Sequence, residues 1–131
     1  MKEQEKMMNH DEEKEEQPVL VKVAMQVVID AGNARIAAEQ ALKKLHTFDF
    51  AGAEELMAKA AVQLQKAHDA QTEVIQSEAG GTRYENSFIF NHAQDTLMTA
   101  MTQCNLTREI IKLYQILYGE IHKNQESKEA V

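Results

Sequence analysis

Five histidines and one cysteine are the side chains of this 131-residue chain best suited to nucleophilic or metal chemistry. His10 sits among acids, His46 between two periodic segments and His122 near the polar C-terminus, and each reads as a solvated side chain. Cys104 falls on an apolar helical stripe, where a small buried hydrophobe is the expected role. His68 shares a helical face with Met57, Ala61, Leu64, Gln71 and Ile75. It reads as a histidine satisfied within a helix interface or as a neighbour that supports a functional group. His92 follows Phe88-Ile89-Phe90 and precedes Asp95 by three residues and Thr96 by four, so on a helix these side chains meet on one surface. Thr99 and Gln103 continue the strip before it turns apolar at Leu106, Ile110 and Leu113. Polar groups buried there without partners would be costly, so the patch needs solvent, a metal, a ligand or a partner chain. Residue types alone leave three readings open. These are a structural polar seam, a His/Asp metal site shared between chains and suited to Mg²⁺ or a related hard ion, and a reactive histidine.

Other chemistries are excluded by what is absent. The chain has no GxGxxG and no GxxxxGK[ST], hence neither common nucleotide cradle. It has no HExxH, and no histidine has Glu three residues before it, as helical di-iron sites require. A single cysteine excludes a disulfide framework and a Cys-based zinc finger. Fourteen basic against twenty-one acidic residues, net −7, are wrong for a general nucleic-acid binder. No uninterrupted apolar run is long enough to span a membrane, and no secretory or transit pattern is present, which points to the cytoplasm. Asn105-Leu106-Thr107 matches a glycosylation sequon, which carries no meaning in that compartment.

The elements that position these residues are helical. One proline, five glycines and 5% aromatics are low for a β-rich domain. Residues 1–17 hold seven acids and three lysines, so four of the seven net charges lie in a segment expected to be a disordered acidic tail. From Pro18, placed to open a helix, Leu20, Ala24, Val27, Ala31, Ala34, Ala38, Ala41 and Leu45 form a stripe with alternate spacings of four and three. Asp49 reads as the N-cap of a second helix with the stripe Phe50, Ala53, Met57, Ala60, Leu64, Ala67, Gln71 and Val74, closed by Gly80-Gly81. The third periodic segment runs from near Asn86 to Tyr118 and stops at Gly119, with a frayed polar C-terminus over 120–131. The expected fold is all-α, an antiparallel up-down-up three-helix bundle over 18–119, its rods roughly 40–50 Å long at ~1.5 Å per residue. Apolar residues beyond the core stripes (Val21, Met25, Val28 and Ile36; Ile89, Leu106, Ile110, Leu113 and Leu117) argue for self-association.

Asn91-His92-Ala93-Gln94-Asp95-Thr96-Leu97-Met98-Thr99-Ala100-Met101 resembles the active-site helix of the lactose/cellobiose family of enzyme IIA components of the bacterial sugar phosphotransferase system. Ala31-Gly32-Asn33-Ala34-Arg35, Asp49-Phe50 with Ala53-Glu54-Glu55-Leu56, and Lys66-Ala67-His68 with Gln71-Thr72 and Ile75 add ordered matches over roughly 20–118. The resemblance implies a homotrimer, a nine-helix bundle. It implies that His92 accepts a phosphoryl group from HPr, as a tele-phosphohistidine, and passes it to a cysteine of the cognate IIB component. IIB, with its IIC membrane component, then serves uptake of a β-disaccharide or oligosaccharide of the lactose, cellobiose or chitobiose class. It makes Asp95 a ligand, one per subunit at the trimer axis, of a divalent metal such as Mg²⁺, with His68, Gln71 and Thr96 as supporting neighbours. Family members often carry a second histidine one turn after the first, where this chain has Thr96, a hydroxyl able to donate one hydrogen bond but not to act as a cation. The rival expectation is a non-catalytic oligomeric scaffold with a structural metal at His92 and Asp95.

Overall fold

A computed structural model describes residues 2–129, with the side chains of 3–18 outside the described set. Three helices follow in order, α1 (Lys2–Lys44), α2 (Phe50–Ala79) and α3 (Phe88–Glu129), with a 3₁₀ turn at Leu45–Thr47 between the first two. Among the described residues there is no strand. The helices alternate in direction and form the expected up-down-up bundle, with α1 packed against both of the others.

The stripes place the core as expected. All eight positions of the first stripe, Leu20 to Leu45, are buried, and so are Ala53, Met57, Ala60, Ala67, Gln71 and Val74 on α2. On α3 the buried line is Ala93, Leu97, Ala100, Cys104, Thr107 and Ile111. Most of the α1 contribution is alanine, which favours helix and lets neighbouring backbones approach closely. Two clusters result. Ala24, Val27, Ala31, Ala67, Ala93, Leu97 and Ala100 lie toward the start of α3, and Ala34, Ala38, Leu45, Met57, Cys104 and Ile111 lie toward the α1–α2 turn. Among the described residues the buried polar side chains are satisfied: Gln26 Nε2 donates to Asp30 Oδ1 at 3.1 Å, and the Thr107 hydroxyl donates to the Gln103 carbonyl at 2.8 Å.

Turn chemistry explains where helices end. Phe48 N–H donates to Leu45 O and Asp49 N–H to Lys44 O, a Schellman closure with Phe48 in the left-handed region at φ 57°. Its ring centroid lies 5.0 Å from that of Tyr118, which also packs on Phe50 at 5.5 Å. Asp49 caps α2 as expected, Oδ1 accepting from Gly52 N–H at 2.9 Å. A Cβ at Gly52 would lie 2.5 Å from Asp49 Oδ2, so a side chain there would push the capping carboxylate aside. At the far end Gly81, at φ 108°, takes the left-handed position, while Gly80 stays right-handed.

Three boundaries differ from the sequence expectation. α1 begins at Lys2 rather than at Pro18. The Glu, Lys, Gln and Met residues of 1–17 have high intrinsic helix propensity, while the side chains of that segment lie outside the described residues. α3 starts at Phe88, capped by Ser87, whose Oγ accepts from Phe90 N–H at 3.2 Å. α3 also passes through Gly119 to Glu129 instead of fraying after Tyr118. One glycine costs a helix only about 1 kcal/mol. His122 braces the continuation, with Nδ1 3.0 Å from Tyr118 O and its ring 3.9 Å from the Tyr118 ring.

Candidate functional site

The α3 face opposite the core carries His92 and Asp95. Core residues Ala93, Leu97, Ala100 and Cys104 turn inward, so the helical repeat turns Phe88, His92, Asp95, Thr99, Leu106, Ile110, Leu113 and Leu117 outward as one strip. His92 and Asp95 are both exposed on it. Among the described residues neither ring nitrogen of His92 and neither carboxylate oxygen of Asp95 has a hydrogen-bond or ion-pair partner. His92 therefore presents an open imidazole whose ring nitrogens an incoming group can reach.

Threonine hydroxyls stitch the backbone beneath the strip. Thr96 Oγ1 donates to His92 O at 2.9 Å, and Thr99 Oγ1 donates to Asp95 O at 2.9 Å and lies 3.0 Å from Thr96 O. The single proton Thr96 could offer to a phosphoryl oxygen is therefore engaged on the carbonyl of His92 itself. Lower on the strip, Arg35 Nε donates to Gln103 Oε1 at 3.1 Å and ties α1 to α3. A groove of about 560 Å³ opens there between Leu42 and the α3 side chains Thr99, Gln103, Leu106 and Ile110.

The remaining expected neighbours are not gathered around His92 within one protomer. His68 is exposed and lines a groove with Leu64, Gln65, Met101, Asn105 and Arg108. Met101 is nine residues past His92, about two and a half helical turns, so that groove lies on the opposite side of α3. The expectation of His68 inside a helix interface does not hold in the protomer. Gln71 is buried in the α2 core line. Cys104 is fully buried, with Sγ 3.8 Å from Ala34 O. Burial pushes its thiol up, partly opposed by the Arg108 guanidinium, so it is an inert core residue as expected.

Within one chain the described residues do not assemble a metal site: no three His, Cys, Asp or Glu side chains gather among them. One exposed carboxylate at Asp95 supplies too few oxygens by itself for a hard cation. Residue reasoning missed the Ser87 cap, although Ser87 followed by a periodic run was its signal, and the Arg35–Gln103 link, which joins residues distant in sequence.

Fold and strip together define a small helical subunit that presents one open histidine on an outward helix face. The family model described as PTS system, lactose/cellobiose specific IIA subunit, matches residues 22–115. The chain is 41% identical over 93 residues to the lichenan-specific phosphotransferase enzyme IIA component of Bacillus subtilis, covering 71% of this chain and 84% of that protein. It is 39% identical over 98 residues to the N,N'-diacetylchitobiose-specific EIIA component of Escherichia coli, covering 75% and 84%. Among solved structures, the cellobiose-specific enzyme IIA of Bacillus anthracis superposes with a TM-score of 0.71 at 42% identity, over 75% of this chain and 90% of that one. IIA(chitobiose) in its complex with HPr, from the Escherichia coli system, gives 0.67 at 37% identity, over 76% and 96%. The chain belongs to the lactose/cellobiose-specific IIA family of the sugar phosphotransferase system. Among the described residues no helix is long and apolar enough to cross a membrane.

Proposed function

We propose that this chain is a cytoplasmic phosphocarrier in which His92 accepts a phosphoryl group from HPr and passes it to a cysteine of a cognate IIB component. The observation that carries the reading is the open imidazole of His92 on the outward face of α3, inside the stretch matched by the family. The lone pair of a ring nitrogen, Nε2 for a tele-phosphohistidine, attacks phosphorus in line. The donor's bond to phosphorus breaks and its electron pair stays on the donor. In the second transfer the IIB thiolate attacks, an S–P bond forms and the N–P bond breaks, returning His92 to neutral imidazole. Such transfers rest on positioning and charge stabilisation, which the capped and stitched start of α3 serves. The relatives' names span lichenan, lactose, chitobiose and cellobiose, so the sugar is a β-linked disaccharide or oligosaccharide taken up through IIB and its IIC membrane partner.

The functional unit is a homotrimer. The exposed strip Leu106, Ile110, Leu113 and Leu117, with spacings of four, three and four, supports helix-to-helix packing between copies. In that assembly one Asp95 per subunit would meet at the axis and hold a divalent cation such as Mg²⁺. The cation would relieve the repulsion among the carboxylates.

The reading is tested by incubating the protein with HPr, enzyme I and phosphoenolpyruvate and reading intact mass. One acid-labile phosphoryl group per chain is expected, and none on His92→Gln. No gain, or a gain that survives His92→Gln, sinks the carrier reading and leaves a helical scaffold.

A further inference from the structure

His92 stands fifth in α3, so the first turn of that helix holds the backbone from which the imidazole projects. The two sides of the turn are secured differently. Ile89 and Phe90 pack against the cluster that holds Ala93 and Leu97, whereas Phe88, Asn91 and His92 are all exposed. A helix start that lacks packing frays readily, because its first four N–H groups have no partner within the helix. On the exposed side hydrogen bonds take over from packing. Ser87 Oγ accepts from Phe90 N–H at 3.2 Å, and Ser87 O accepts from Asn91 N–H at 3.0 Å.

Asn91 Nδ2 adds a further bond, donating to Asn86 Oδ1 at 3.2 Å. With Ser87 as the cap, Asn86 is the residue before the cap and Asn91 the fourth of the helix. Helices often pin this pair of positions with two apolar side chains, which fixes the angle at which the chain enters. An apolar pair here would sit in water beside the imidazole, whereas two amides make the same link and keep donors and acceptors free for solvent. Asn91 is thus tied back to the preceding loop twice, through its main chain and its side chain, and the next residue is His92. One turn further on, Thr96 Oγ1 holds the His92 carbonyl at 2.9 Å. The backbone of His92 is therefore secured on both sides along the helix.

We propose that Asn86 and Asn91 form a polar clasp that positions His92 for phosphoryl transfer. The proposal rests on the carrier reading of His92. Neither amide takes part in the bond exchange. With the clasp open, the first turn frays and the imidazole spends less time in line with phosphorus. The clasp therefore acts on the rate of transfer within the complex and not on how tightly the donor is held.

The test is steady-state transfer from phosphorylated HPr to the full chain, with Asn86→Ala, Asn91→Ala, the double variant and Asn86→Asp compared against the unmodified protein. Each alanine variant is expected to lower kcat about threefold to fivefold while KM for the donor stays within about twofold. The double variant falls no further than either single one, since the two residues act through one bond. Asn86→Asp, whose carboxylate still accepts from Asn91 Nδ2, keeps most of the unmodified kcat. Amide hydrogen exchange at Asn91 and His92 speeds up in the alanine variants, while exchange at buried Leu97 is unchanged. An unchanged kcat, or a rise in KM without a fall in kcat, overturns the clasp. Additive losses in the double variant, or a loss that Asn86→Asp shares in full, overturn it as well. If the unmodified chain gains no phosphoryl group, the carrier reading itself has failed. If it gains one while the alanine variants behave identically, only the clasp has.

Discussion

Thr96 donates its hydroxyl to the backbone carbonyl of His92 at 2.9 Å, so the residue one turn beyond the histidine is bound to the main chain rather than poised over the imidazole. A threonine bonded in this way shapes the helix and offers no spare proton to a ligand. Thr96→Val should therefore change the rate of His92 phosphorylation from HPr by less than about fivefold, since a bond of this kind contributes only about 1 kcal/mol net. A tenfold fall in stopped-flow or quenched-flow transfer would show that the hydroxyl leaves the carbonyl and serves the phosphoryl group.

Asp95 is the one carboxylate on the outward strip near His92, and by itself it supplies too few oxygens for a hard cation. Asp95→Leu is expected to abolish stoichiometric divalent metal, read by elemental analysis of dialysed protein, while the oligomer measured by light scattering is retained. Metal that persists in the variant would place the ligands elsewhere.

Cys104 is fully buried, and burial raises its thiol pKa. The native protein should resist a thiol-specific reagent such as DTNB at pH 8 and react at once when unfolded in urea. A group whose folded pKa lies above its unfolded value stabilises fully below the ordinary thiol value of about 8.5. That contribution is lost as pH climbs from there through the higher folded value. Cys104→Ala should accordingly flatten the loss of stability above about pH 8.5, measured by urea unfolding across pH.

The Asp49 cap on Gly52 N–H closes the α1–α2 turn. Asp49→Ala should cost about 0.5–2 kcal/mol in urea unfolding without altering His92 phosphorylation, because the cap lies at the opposite end of the bundle from the histidine. A loss of phosphorylation with little loss of stability would mean that this turn communicates with the site.

Deleting residues 1–17 should leave phosphorylation of His92 intact and remove no more helical signal than those residues themselves supply. A loss of transfer, or of cooperative unfolding, would give the acidic segment a role in the bundle or in docking.

The alternation of three and four was enough to identify the core. Leu20 to Leu45 and, apart from half-buried Phe50 and Leu64, the α2 stripe to Val74 are buried where the pattern put them, because a helix can bury a face only if its apolar residues recur with the helical period. The Asp49 cap was legible for a similar reason, since N-capping is chemistry between near neighbours. The chain past Gly119 was not legible, because the brace of Tyr118 and His122 outweighs the modest penalty of one glycine.

Residue spacing specifies only the local part of the site: His92, Asp95 and Thr96 lie within about one helical turn whatever surrounds them. Tertiary structure decided which of their surroundings matter. Packing of α1 and α2 against one side of α3 turned His92 and Phe88 to the open side and sent His68 to a groove on the other. It also joined Arg35 to Gln103 across 68 residues. Periodicity specifies which residues share a face of one helix, whereas only the docking of helices specifies which faces meet.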